Sequence, residues 1–325
     1  MRFPVLKMIL PLMFLSLAAA AVAAQEHSAY HITRTISLGG DGSWDYLRFD
    51  AQKRRLFIAR ATRVMVADLD SGKLSGEIPD TNGVHGVALA PELHRGVTSD
   101  GKANAATVFD LETLKPVATV ATGEKPDGIL WEPFSKAVLT MNGHSNSITM
   151  IDPGAGRALG TIPLPGRPET AVSDGTGKVF VNLEDKGQIA VVDMKARTVT
   201  GTWELSGCTE PTGLAIDVAR QRLFSACHSG ILAVVDAGTG KIVQTLPIGH
   251  GVDAAAYDPE THTIFTSNGE GSISVIEQVS ADSYRNQETV NTLAGAKTMA
   301  LDPVRHLIYT VADRDGQFVL LEIGR

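Results

Sequence analysis

Two cysteines in 325 residues are too few for a disulfide-built scaffold or a four-thiolate metal site. Aromatic side chains are scarce, 18 in number with three Trp among them, which leaves little on which successive bases could stack. Positive charge is not in excess either. The formal net charge is −7, whereas a phosphate backbone requires clustered cations. Nucleic acid is therefore not an expected partner. Beyond the first 24 residues no long apolar run occurs, so no membrane span is expected once that segment is removed. No stretch carries an apolar face at helical spacing over three turns. Gly-x-Ser-x-Gly, P-loop and Cys-x-x-Cys-His motifs are all missing, which removes support for a standard hydrolase, a nucleotide enzyme or a c-type haem protein.

What is present begins with an address. Arg2 and Lys7 form a basic start, Met8 to Leu17 is almost uninterruptedly apolar, and an Ala-rich stretch ends Ala21-Val22-Ala23-Ala24-Gln25. This order reads as a signal peptide over residues 1–24. The expected location is the periplasm or the exterior. Its removal leaves 27 Lys and Arg against 36 Asp and Glu, in a single domain over residues 25–325.

That domain is a repeat. A hydrophobic pair followed by an acid recurs at Asp68, Asp110, Asp152, Asp193, Asp236, Glu277 and Glu322, with spacings of 42, 42, 41, 43, 41 and 45 residues. One unit, residues 252–277, shows a short apolar run, the turn Asp258-Pro259-Glu260, a second strand, the Gly-rich turn Asn268 to Gly271 and an alternating third strand. Lys241 to Ile248 shows the fourth. Four short strands in about 42 residues is the period of a propeller blade. The inner strands, such as Val87-Ala88-Leu89-Ala90, are apolar without alternation, as expected of strands covered on both faces. The last unit supplies three strands before the chain stops, and His31 to Gly39 resembles Ile242 to Gly249. The expected fold is all-β: a seven-bladed β-propeller of four-stranded antiparallel blades, with the N-terminal strand completing the last blade.

The segments GEKPDGILWEP (123–133), KVFVNLEDKGQIAVVD (178–193) and residues 241–277 resemble the YVTN-repeat, YncE-like propellers of bacterial envelopes. The resemblance implies an envelope location and a binding surface. It names no activity, because one fold serves many functions.

In such a fold the loops entering each inner strand gather around one mouth of the channel. The residues just before the seven inner strands are Asp45, His85, Asp127, Glu169, Thr212, Asp253 and Lys297. Arg60 is expected to neutralise Asp45, and Asp313 to neutralise Lys297. Glu184 and Asp185 are expected near Glu169, and Glu270 near Asp253, leaving carboxylates in excess over blades four to six together with Glu210. Asn142, Asn182 and Asn268 end second strands on the same face. Carboxylate plus amide oxygen suits Ca²⁺ or Mg²⁺, so Glu169, Asn182 and Asp253 are candidate ligands of a divalent cation, as in the regucalcin and gluconolactonase propellers, whose full motif is absent here. Two imidazole groupings compete: His85, Asp127 and His144, and His228, His250 and Asp253.

Cys208 precedes the inner strand of the fifth blade and Cys227 ends its second strand. Antiparallel pairing brings those ends together, so a disulfide is expected in an oxidising compartment. The function expected from these residues is non-catalytic binding of a small molecule or envelope protein at the channel mouth, by a monomer. The alternative is a metal-assisted lactonase or lyase at the same mouth.

Overall fold

The computed structural model describes residue 1 and residues 29–325. The signal segment expected over residues 1–24, apart from Met1, lies outside the described residues. Twenty-eight strands among the described residues form seven four-stranded antiparallel sheets. The first six blades follow chain order. They run from β2 (Leu47–Asp50) to β5 (Lys73–Ile78), β6 (Val84–Ala90) to β9 (Pro116–Ala121), and β10 (Pro126–Glu132) to β13 (Arg157–Pro163). They continue from β14 (Pro168–Ser173) to β17 (Thr198–Glu204), β18 (Pro211–Asp217) to β21 (Ile242–Pro247), and β22 (Val252–Asp258) to β25 (Ser283–Asn291). The seventh is β26 (Met299–Asp302), β27 (Leu307–Arg314) and β28 (Gln317–Gly324), completed by β1 (His31–Ser37). Neighbouring inner strands pack in chain order, and β26 returns to β2, closing the ring.

Burial follows from that closure. Second strands such as β3 (Arg55–Arg60), β11 (Ala137–Asn142) and β23 (Thr263–Asn268) are buried at every residue, because an adjacent blade covers each face. The outermost β17 alternates between half-buried and exposed residues. The repeating acid has a local cause. At the end of the third strand, Asp110 Oδ1 accepts the backbone N–H groups of Glu112 and Thr113 at 3.0 and 2.9 Å. Asp152, Asp193 and Asp236 do the same for the two turn residues that follow each of them. Such Asx turns reverse strand three into strand four in these four blades. In the first unit Asp68 accepts only the Ser71 N–H among the described residues, and the last two units depart from the pattern: Glu277 pairs with Arg285, and Glu322 accepts from the Thr33 hydroxyl.

β1 lies antiparallel to β28, with Ile36 opposite Leu320 and Ser37 opposite Val319. The expected seam is confirmed. Towards the axis the inner strands crowd. A Cβ added at Gly128 would collide with the backbone oxygen of Glu169 in the next blade. At Gly213, the same place two blades on, it would lie 2.7 Å from the Ala254–Ala255 backbone. Gly128→Ala must therefore separate two inner strands, and a loss of roughly 1–3 kcal/mol is expected from overpacking. Urea unfolding measures it, and a midpoint equal to the parent's would show that blades three and four slide apart freely.

Candidate functional site

What aims side chains into the channel mouth is a defect in the ladder. The pairing of inner with second strand slips between Val84 and Gly86, Pro126 and Ile129, Pro168 and Ala171, Pro211 and Gly213, and Val252 and Ala254. The residues in those gaps include His85, Asp127, Glu169, Thr212 and Asp253. A bulge turns the strand and re-aims the side chain it leaves unpaired. Asp45 and Lys297 precede the inner strands of the other two blades. The groups converge: burial raises the Tyr46 hydroxyl well above its ordinary pKa, and Glu169, Asp253, Asp127 and Asp45, from four blades, raise it further.

Three consecutive blades bring Asp45, His85 and Asp127 together. His85 Nδ1 is 2.6 Å from Asp45 Oδ2 and 3.3 Å from Asp127 Oδ1. Burial by itself would lower the imidazole pKa; the Asp45 hydrogen bond and the Asp127 charge outweigh it, and the value rises. Burial first, then the charge of Asp45 against the opposing pull of His85 and Lys125, leaves Asp127 pushed up to about 6. Lys125 Nζ stands 3.8 Å from Asp127. From blade one the Tyr46 hydroxyl reaches blade four and donates to Glu169 Oε1 at 2.7 Å. Burial, followed by Asp127, raises Glu169 well above the usual carboxylate range.

Beside this trio opens a cavity of about 410 Å³ between blades one, two and three. Its wall combines Trp44, Ala61 and Val84 with Asp45, His85, Lys102, Lys125 and His144. The Trp44 Nε1–H is committed to Gly295 O at 3.1 Å, which fixes the indole at the rim. Gly101, also in the wall, has no side chain to cover the His85 ring: a Cβ there would lie 2.7 Å from Nε2.

Several expected groupings are not assembled. Asn142, Asn182 and Asn268 are fully buried inside their blades rather than at the mouth. The Asn182 amide donates to Thr212 O and Gly213 O, and its oxygen accepts from the Ser225 hydroxyl. Asn142 and Asn268 each donate to two hydroxyls and accept from a Thr, from Thr140 and Thr266 respectively. With those oxygens used in holding strands together, the Glu169, Asn182 and Asp253 cation set does not form. Asp253 instead pairs with Lys297 at 2.6 Å, so Asp313 is not the partner of that lysine. The long lysine stem reaches back one blade to a carboxylate held by the bulge.

The surplus of carboxylates over blades four to six is likewise largely answered. Arg167 meets Glu184 at 2.9 Å and Lys186 meets Asp185 at 3.6 Å. His228 Nδ1 lies 3.1 Å from Glu210, and the Ser272 hydroxyl donates to Glu270. His250 packs against Gly230 instead of joining His228 and Asp253. Arg60 does not neutralise Asp45. Its guanidinium lies 3.7 Å over the Phe318 ring, and Nη2 donates to Gly40 O. Asp45, released from that pairing, becomes the partner of His85. Cys208 and Cys227 form the expected disulfide, with Cα atoms 5.5 Å apart.

Sequence reasoning passed over Trp44, Lys102 and Lys125, and set Asp45 aside as a neutralised residue. The signal for Trp44 was its place next to a ring residue in a chain with three tryptophans.

No family profile matches the chain, and no curated protein does. Solved structures do resemble it. A chain of Kuenenia stuttgartiensis hydrazine synthase superposes with a TM-score of 0.77 at 14% identity, over 87% of this chain and 96% of that one. A chain of the mitotic checkpoint complex gives 0.77 at 15%, over 97% and 99%. The RRP9 WD40 repeats give 0.77 at 9%, over 91% and 97%. At such identities the likeness is one of fold. The chain is a seven-bladed β-propeller. Among the described residues no helix is long and apolar enough to cross a membrane.

Proposed function

We propose that this chain is an exported propeller that binds a small organic anion in the cavity over blades one to three, without performing chemistry on it. The observation that carries the reading is the cavity wall. Apolar Trp44, Val84 and Ala61 face Lys102, Lys125, His85 and His144, while the one carboxylate in the wall, Asp45, is engaged by His85. A mostly apolar concavity with a few convergent polar groups is the usual form of a small-molecule site. Lys102 is exposed and forms no ion pair among the described residues. Export is supported by Arg2, Lys7, the Met8–Leu17 run and its small-residue end, by the Cys208–Cys227 bond, and by the likeness to YncE-type envelope propellers.

Trp44 supplies the test. With Trp131 and Trp203 changed to Phe, its emission alone reports on the cavity. Benzoate, cyclohexanecarboxylate and phenyl phosphate serve as probes. At least one is expected to shift the emission saturably, and Lys102→Glu is expected to weaken that probe about tenfold, the equivalent of one reversed contact near 1.4 kcal/mol. Emission indifferent to all three at millimolar concentration, or affinity untouched by the charge reversal, would overturn the reading.

A further inference from the structure

Asp45, His85 and Asp127 occupy the same place in three successive blades, so the symmetry of the ring itself points them at one locus. One ligand atom from each can be chosen such that all three lie within 4.8 Å of one another. A single nitrogen, His85 Nδ1, faces both carboxylates, at 2.6 and 3.3 Å. That nitrogen can carry only one proton and so can satisfy only one of them by hydrogen bonding. The shorter contact belongs to Asp45. The Asp127 carboxylate accepts no hydrogen bond among the described residues; Lys125, at 3.8 Å, is its only other ion-pair partner there. Two carboxylates that share one imidazole and are largely withdrawn from water call for a dication more than for a proton.

We infer that these three side chains form a site for a divalent transition ion, of which Zn²⁺ is the probe to use. One imidazole nitrogen with two carboxylate oxygens is the mixed donor set that borderline ions prefer. Ca²⁺ requires six to eight oxygens, more than this locus supplies once Asn142 and Asn182 are committed inside their blades. Tetrahedral coordination at about 2.0–2.2 Å sets neighbouring donors roughly 3.3–3.6 Å apart, so Asp127 already stands at that separation from His85 Nδ1 and Asp45 has to withdraw by roughly 0.7–1.0 Å. The remaining positions of the ion face the cavity that Asp45 and His85 line, open to water or to an anionic group. Gly101 keeps that side clear. The inference does not rest on the organic anion. A protein that takes Zn²⁺ and none of the anions retains this site, and one that takes an anion without Zn²⁺ retains only the other.

The experiment is a calorimetric titration of the mature, chelator-stripped protein with Zn²⁺, paired with Co²⁺ as an optical reporter of its coordination. One equivalent is expected to bind saturably, held by three protein ligands as in zinc sites that keep an open position. Asp127→Asn and His85→Ala are each expected to weaken it at least tenfold and to remove the Co²⁺ visible band. His94→Ala, in a turn on the opposite face, leaves both readings as they were. Ca²⁺ in tenfold excess is not expected to compete. Each variant is first shown to melt cooperatively, and if His85→Ala does not fold, Asp127→Asn carries the test. Binding that survives both substitutions, fails to reach one equivalent, or yields to Ca²⁺ would mean an adventitious ion only and would sink the proposal.

Discussion

A chain lacking residues 31–38 is expected to aggregate, or to melt roughly 10 °C or more below the intact protein. The expectation follows from what β1 covers. Ile36 and Leu38 are both buried, and together their burial is worth roughly 3–6 kcal/mol by apolar area. For a domain of this size about 2–4 °C of melting temperature accompanies each kcal/mol. The second effect is the exposed edge. β28 is buried at Phe318 to Leu321 and pairs with β1 on one side and β27 on the other. Removing β1 leaves a long, flat, apolar strand with unpaired N–H and C=O groups, the form of edge that invites another chain. Calorimetry with size-exclusion chromatography reads both effects. A monomer melting within a degree or two of the parent would show that the ring does not depend on this closure.

The fold was legible because its signals are local and repeated. The acids at Asp110, Asp152, Asp193 and Asp236 recur at nearly constant spacing since each caps the same turn with the same two N–H groups, and nothing beyond the blade decides it. The seam was legible for the same reason: residues 31–38 carry the pattern of a fourth strand without a blade of their own. The site was legible only in part. That seven polar residues ring the mouth follows from the blade count. Which of them meet depends on side-chain direction at a bulge and on stem length, and neither is written in a spacing. Lys297 reaches Asp253 across a blade boundary, whereas Asp313, nearer in the expected register, is spent on the Gly316 N–H of its own hairpin turn. Asn182 read as a mouth residue because it lies near the end of β15 (Lys178–Leu183). Its amide turns instead to the Thr212 and Gly213 carbonyls of the next inner strand. A buried amide whose donors and acceptor are met stays where it is, since withdrawing a partner leaves an unsatisfied group at a cost of about 1–3 kcal/mol.

The Cys208–Cys227 bond links stability to compartment. It ties the loop before β18 to the end of β19 (Arg222–Cys227), across a separation of 19 residues. In the chain-entropy account, closing a loop of that length in the unfolded chain is worth roughly 3 kcal/mol. The double substitution Cys208→Ala with Cys227→Ala is therefore expected to lower the unfolding free energy by about that amount and the melting temperature by roughly 6–12 °C. Both sulfurs are buried, and loss of packing adds to the effect rather than opposing it. Reductant should lower the parent's transition to a similar degree and leave the double variant where it was, which separates the cross-link from the packing. The same bond reports on export. Protein recovered from outside the cytoplasm and denatured without reductant is expected to show no free thiol, whereas a chain expressed without residues 1–24, denatured and alkylated directly on lysis, should show two, because the cytosol keeps thiols reduced. Two labelled cysteines in the extracytoplasmic protein would break the connection between this bond and an oxidising compartment, leaving the N-terminal residues and the YncE-type resemblance as the support for export.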